Sequence, residues 1–226
     1  MSPKSLINRL LGRDRNMAPR LSYGLDGEDL ILDHFLEGKP NGFYVDIGAH
    51  HPARFSNTYL FYRRGWRGIN IDAQPDSMRL FRRLRSRDIN LEIGVDIQAG
   101  TLKYFQFNEP ALNTFSESEA ALKNKAPYRL IDTLQVKVER LDTLLAEHLP
   151  AGQEIDFLNI DVEGKDEDVL RSNDWSRYRP RFILAETLRT DMLGLGECSV
   201  VQFLLGVGYK PVSKAYGTSF FAREAD

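Results

Sequence analysis

Between Phe43 and Glu186 one local pattern recurs: a short, mostly apolar run closes on a carboxylate, and a segment of helix length follows. Phe43-Tyr44-Val45-Asp46-Ile47, Gly68-Ile69-Asn70-Ile71-Asp72 and Ile89 to Val95 read as buried strands. So do Ile155 to Ile160 and Phe182-Ile183-Leu184-Ala185. Strands joined by helix-length crossovers return to the same sheet end, so they run parallel and helices cover both faces. The expected fold is α/β, a doubly wound Rossmann-like sheet. The 226 residues, 42% of them hydrophobic, suffice for one such core at about 100–200 residues per domain.

The intervening segments carry helix signals. Asp26 is placed to cap a helix reaching about Glu37, with Gly38 as its stop. A second helix is expected from about Ser56 to Arg64, ending at Gly65. Pro75 suits the first turn of a third, with Met78, Leu80, Phe81 and Leu84 facing inward. The arginines of that helix and its end, Arg79, Arg82, Arg83, Arg85 and Arg87, read as a solvated outer face or as a contact for an anionic, phosphate-bearing acceptor or lipid. Phe55, Tyr59, Phe61, Tyr62 and Trp66 read as core packing. Thr101 to Phe107 and Leu134 to Val138 look extended, Arg140 to His148 helical, and Asn113 to Glu119 either a lid or a surface loop. A helix is expected near Cys198–Leu205. Tyr209–Ser213 and Ser219–Ala222 lie close enough to pair as a hairpin.

Residues 1–20 stand apart, with Lys4, Arg9, Arg13, Arg15 and Arg20 against Asp14 alone, and Leu6, Ile7, Leu10 and Leu11 on one helical face. They are expected to form a basic amphipathic arm before a domain spanning 21–226. The arm packs on its own domain or on a second copy, or touches an acidic membrane surface. It lacks the apolar stretch and small-residue cleavage site of a secretory signal, and no run approaches the roughly 18 apolar residues of a membrane span. A single cysteine, Cys198, fits a reducing compartment. The expectation is a cytoplasmic protein, with the inner membrane face as an alternative location. A net charge of −2 gives no global pull towards nucleic acid.

In doubly wound sheets ligands bind beyond the carboxyl ends of the strands. Asp46, Asp72, Asp96, Asp161 and Glu186 all fall at those ends, with Glu163 just past Asp161. Each alone could cap a helix or face solvent; their shared edge is the signal. Asp72, at the second strand's tip, is placed to accept both hydroxyls of a ribose. The loop before it is a poor dinucleotide fingerprint. With Gly48 as the first glycine, His50 occupies the second position, where a side chain obstructs a pyrophosphate, and Ala53 the third. The cofactor is therefore expected to be nucleoside-like, and S-adenosylmethionine fits, its amino-acid tail facing Asp46 and the Gly48 backbone.

Phe43 to Pro52, then Ser56-Asn57-Thr58, then Gly65 to Ala73, resemble the FkbM family of S-adenosylmethionine-dependent methyltransferases. So do Asn159-Ile160-Asp161-Val162-Glu163-Gly164, Asp168-Val169-Leu170, Ile183-Leu184-Ala185-Glu186 and the upstream Gly27-Glu28-Asp29. The likeness covers about residues 22–222 in order, and departs at Leu25-Asp26, where a Gln-Phe-like pair is expected. It implies a seven-stranded sheet, six strands parallel and one antiparallel, and O-methylation of a hydroxyl on a sugar, a nucleotide-sugar or glycan as in polysaccharide biosynthesis, or a related natural product. Cofactor contacts are expected from Asp46, Gly48, Ala49, Asp72, Asp96 and Asp161.

A sulfonium methyl is already electrophilic, so the protein must align a hydroxyl and take its proton. His50 and His51 follow the first strand directly and titrate near neutrality, which makes them the favoured bases. They also suit loop structure. Asp161 and Glu186 could instead hold a divalent cation such as magnesium, and Glu163 could bind the acceptor or cap the next helix. Expected partners are a small-molecule or glycan acceptor, a lipid-linked one being compatible with the basic arm, and a second copy in a homodimer. A nicotinamide oxidoreductase shares the fold, and a non-catalytic carbohydrate-binding module is the third reading. His50 argues against the former and the strand-end carboxylates against the latter.

Overall fold

The computed structural model describes residues 20–187 and 190–224. The first half runs α1 (Glu28–Phe35), β1 (Phe43–Ile47), α2 (Tyr59–Arg63), β2 (Arg67–Asp72), α3 (Ser77–Leu84) and β3 (Ile89–Glu92). An insert follows: β4 (Gly94–Val95), β5 (Gly100–Phe107), α4 (Glu117–Lys123) and β6 (Leu130–Glu139). The second half comprises α5 (Leu141–His148), β7 (Phe157–Ile160), α6 (Asp166–Arg171), β8 (Phe182–Glu186), α7 (Ser199–Gly206), β9 (Tyr209–Ala215) and β10 (Thr218–Arg223).

Seven strands form one sheet in the order β3-β2-β1-β7-β8-β10-β9. The first five are mutually parallel, β10 runs antiparallel to β8, and β9 runs antiparallel to β10. Six strands therefore share one direction, and the terminal pair is the expected hairpin. The chain winds outward from β1 to β3, then returns to place β7 on β1's other side. That reversal opens a crevice at the carboxyl ends of β1 and β7.

Alternation along the strands builds the core. Phe43, Val45 and Ile47 of β1 join Leu158, Ile160, Ile183 and Ala185 on one face. Tyr44 joins Phe61, Trp66, Phe157, Leu184 and Phe220 on the other. With both faces covered, a polar residue inside a strand must find partners in the protein.

The structure departs from several sequence expectations. Asp26 does not cap α1. Gly27, at φ 85°, precedes the helix, and Glu28 folds its carboxylate back onto the Asp26 amide at 2.8 Å. The second helix is shorter than expected because residues 51–58 are held in turns. Pro75 lies before α3, whose N-cap is Asp76. On α3 Met78 and Phe81 are buried, but Leu80 and Leu84 are 38% and 47% exposed. The third strand stops at Glu92, and Gly94–Val95 leaves the main sheet to pair with β6. Phe55 is not core; it is exposed and stacks on His50. Arg85 leaves the solvated face altogether and is fully buried. The amphipathic arm lies outside the described residues, apart from Arg20, which pairs with Asp33. Among the described residues no helix is long and apolar enough to cross a membrane.

Candidate active site

A cleft of about 360 Å³ opens at the carboxyl ends of β2, β1, β7 and β8. Its floor is set by Gly48, at φ +78°, where an added Cβ would stand 1.7 Å from the Asp161 carbonyl oxygen. The loops leaving β1 and β7 can approach this closely only around glycine. The amides of Gly48 and Ala49 both donate to the Ile71 carbonyl, and Ala49 packs on Met78 and Phe81, which joins the β1 loop to β2 and α3.

Asp46 and Asn159 are register partners on β1 and β7. The buried Asp46 carboxylate accepts Asn159 Nδ2 at 2.9 Å and Thr58 Oγ1 at 2.8 Å. Burial pushes its pKa up, and these two bonds hold it partly down. Both oxygens thus already serve to hold the loop before α2 against β7. Asp72 is also buried. Its oxygens accept the His50 amide at 2.7 Å and the Gln74 amide at 2.8 Å. Burial raises its pKa against those bonds. Each oxygen keeps further lone-pair capacity for a ligand on the cleft wall.

The two histidines separate. His50 lines the cleft, and burial followed by the Arg54 charge lowers its pKa, so it is neutral at pH 7. His51 is not part of the wall. Its Nδ1 accepts the Ala53 and Arg54 amides at 3.0 and 2.9 Å, which closes the turn after β1. Asp96 is also drawn away from the cleft, where it accepts the Ile97 amide at 2.8 Å and pairs with Lys165 at 3.3 Å.

Asp161, Glu163 and Glu186 converge, with one carboxylate oxygen of each within 4.8 Å of the others. Glu163, at φ +56°, is ion-paired to Lys123 of α4, and its carbonyl accepts Thr114 Oγ1 at 2.8 Å. The insert therefore fixes it in place. The Asp161 carboxylate is wetted by the cleft yet ringed by protein. Burial, then Glu186 and Glu163, pushes its pKa well up. Burial, then Glu163 and Asp166, likewise raises Glu186. Behind them Asp166 accepts the Glu186 amide at 3.3 Å and is pushed up to about 8 by burial and by Asp161. One lysine faces several acids, so near neutrality this corner retains protons that isolated carboxylates would have lost.

Several wall residues escaped sequence reasoning. Leu25, Asp26 and Glu28 bring the upstream loop to the cleft beside Asn57. Asn57 donates to Asn159 Oδ1 at 3.0 Å, while its own Oδ1 is buried without a hydrogen-bond partner. The Ser56-Asn57-Thr58 and Gly27-Glu28-Asp29 motifs were the available signal for these. From the insert come Tyr104, whose pKa burial and Asp72 raise, and Asn113, which donates to Gln74 Oε1 at 3.0 Å. Asn113, Thr114 and Phe115 wall the cleft, and Ser116 caps α4. Asn113, Thr114 and Phe115 belong to the segment read as a lid or a surface loop, whereas no local pattern marks Tyr104 as a site residue.

The model of the methyltransferase FkbM domain family matches residues 46–210. Two solved structures resemble the whole chain. One is a TehB-like SAM-dependent methyltransferase from Corynebacterium glutamicum, 14% identical, with a TM-score of 0.41 over 99% of this chain and 100% of that one. The other is the Burkholderia thailandensis 1,6-didemethyltoxoflavin-N1-methyltransferase with 1,6-didemethyltoxoflavin and S-adenosylhomocysteine bound, 13% identical, with a TM-score of 0.39 over 99% of this chain and 86% of that one. No curated protein matches the sequence.

Proposed function

The chain belongs to the FkbM methyltransferase family, and from that membership we propose that it transfers a methyl group from S-adenosylmethionine to a hydroxyl of a sugar, in a nucleotide-sugar or a glycan. The observation that carries this reading is the division of one cleft into two chemically distinct ends. Asp72 stands at the tip of β2 and Glu186 at the tip of β8, three strand spacings apart, or roughly 14 Å.

The Asp72 end suits the cofactor. Its carboxylate has lone pairs for a ribose diol, and Ile71, Ile93, Val95 and Tyr104 supply a largely apolar slot for a purine. Asn57, with its unpartnered oxygen, and Glu28 supply acceptors for an ammonium group. S-adenosylmethionine, when bound, supplies an electrophilic methyl on a sulfonium. The protein's own task lies at the other end. Glu163, locked by Lys123 and Thr114, and Glu186 are positioned to accept hydrogen bonds from an acceptor's hydroxyls and so orient one of them. Burial and neighbouring carboxylates raise the proton affinity of Asp161 and Glu186, and whichever of the two is ionised is suited to take a proton from the reacting oxygen. His50, bonded through its amide to Asp72, sits at the cofactor end and helps shape the ribose wall.

The three convergent carboxylates also support a second reading, in which a divalent cation bound there lowers the hydroxyl pKa. Methyl transfer from labelled S-adenosylmethionine across a panel of nucleotide-sugars, glycans, proteins and nucleic acids tests the proposal. Transfer confined to proteins or nucleic acid overturns it. Glu186→Gln and Asp161→Asn are expected to lower turnover by about 10²–10⁴-fold with cofactor affinity nearly intact. If chelator also abolishes activity and magnesium restores it, the cation reading replaces direct proton transfer. If His50→Ala shows the large loss while the carboxylate variants stay active, the base is the histidine.

A further inference from the structure

At the opposite edge of the sheet, where β7 and β8 begin and β10 ends, a second cavity of about 470 Å³ opens. Arg177, Arg179, Arg181 and Arg223 line it together with the apolar side chains of Leu149, Pro150 and Ile155. Three of these arginines alternate along residues 177–181, and the fold brings Arg223 to them from the end of β10. Arg181 stands just before β8 and Arg223 closes β10, its amide donating to the Arg181 carbonyl at 3.0 Å.

Each guanidinium is held by something other than a carboxylate. Arg223 Nη1 donates to the Arg179 carbonyl at 3.0 Å, and Arg179 Nη1 to the Trp175 carbonyl at 3.2 Å. Arg179 also lies over the Tyr209 ring at 5.7 Å, Arg177 over Tyr178 at 4.9 Å, and Arg181 over Phe182 at 5.4 Å. Carbonyl and ring partners fix direction but leave the full positive charge in place. Among the described residues none of the four makes an ion pair, whereas Arg54, Arg64, Arg85, Arg140 and Arg171 each do. Of the two acids on the wall, Asp156 is already committed to Lys39 at 2.6 Å and to the Phe43 amide at 3.0 Å. That leaves Glu154 on the wall, and Asp174 near Arg177, against four guanidinium groups.

Four guanidinium groups around one concave site, none of them in an ion pair among the described residues, match the oxygens of a phosphate, which such groups bind in a bidentate manner. The apolar side chains among the lining residues suit a ligand with a nonpolar part beside its charge. We propose that this cavity binds a phosphate-bearing ligand, at a site separated from the methyl-transfer cleft by the length of the sheet. The phosphate belongs either to a soluble molecule or to a lipid headgroup.

Titration calorimetry of the full chain with inorganic pyrophosphate at near-physiological salt tests it, alongside flotation with vesicles containing phosphatidylglycerol. One saturable event is expected in at least one arm, weakened tenfold or more by Arg181→Gln and by Arg223→Gln, and unchanged by Arg79→Gln/Arg83→Gln on α3. The affected arm identifies the source as soluble phosphate or headgroup. Both lead positions are exposed, so the variants should fold, and circular dichroism checks this; Arg177→Gln gives an independent third reading. Absence of saturable binding in both arms overturns the proposal. Equal weakening by the α3 variant also overturns it, because the attraction would then be general charge.

Discussion

Replacing Arg85 by methionine, which keeps most of the volume and removes the charge, tests how the cleft edge of the sheet is held. Arg85 and Asp88 are both fully shielded from solvent, with Nε and Oδ2 3.0 Å apart. The guanidinium also donates to Pro52 O at 2.8 Å, Tyr44 Oη at 2.8 Å and Thr58 Oγ1 at 2.9 Å, and lies 4.6 Å from the Tyr62 ring centroid. Through Thr58 it reaches Asp46. Without it, Asp88 is a buried carboxylate left with three neutral donors: Tyr44 Oη at 2.6 Å, Gly68 N at 3.0 Å and Asn70 Nδ2 at 3.0 Å. Removing one partner of a buried ion pair costs about 3–5 kcal/mol, mostly because the other charge stays behind. At roughly 2–4 °C per kcal/mol for a domain of this size, Tm should fall by about 6–20 °C. Urea unfolding followed by circular dichroism measures the change directly. Asp88→Asn should be destabilising in its own right, for the converse reason. In Arg85→Met/Asp88→Asn neither charge remains, so the double variant should be less destabilised than the sum of the singles by about 0.5–3 kcal/mol. A loss under about 1 kcal/mol for Arg85→Met, or strict additivity, would refute the reasoning.

Asp72→Ala should weaken S-adenosylhomocysteine binding by about 1.5–3 kcal/mol, as for loss of hydrogen bonds to a charged group; unchanged affinity by calorimetry removes Asp72 from the ribose site. Asp166, pushed up to about 8 when folded and near 3.9 when unfolded, binds more protons in the native state between those values. Its contribution to stability is therefore complete below pH 4 and is lost as pH rises towards 8. Asp166→Asn should flatten that slope and gain stability relative to wild type at pH 8 rather than at pH 4; melting profiles that stay parallel across that range count against it. Gly48→Ala should destabilise the fold and abolish cofactor binding together, since its Cβ meets the Asp161 carbonyl at φ +78°. A variant as stable as wild type would show that the two loops can separate.

The alternating architecture was written locally in the sequence. A strand of five or six residues buried on both faces needs an apolar run, a crossover needs helix length, and both can be read without knowing any partner. The terminal hairpin and the acids at the strand tips follow from the same short-range rules, which is why Asp72, Asp161 and Glu186 were found. Helix starts were less legible, because Gly27 and Asp76 owe their left-handed conformations to the turns in which they sit. What only the tertiary structure decided was which polar groups meet. Asp46 faces Asn159 because β1 and β7, far apart in sequence, pair in that register. His50 and His51 are equivalent as residues, yet one lines the cleft and the other closes a turn. Arg85 looked like its exposed neighbours until Asp88, Tyr44 and Thr58 surrounded it. Lys123 came to Glu163 from an insert with no motif of its own. Backbone periodicity is a property of neighbouring residues, whereas charge compensation in a buried site depends on distance in space, and that distance is set only once the sheet has closed.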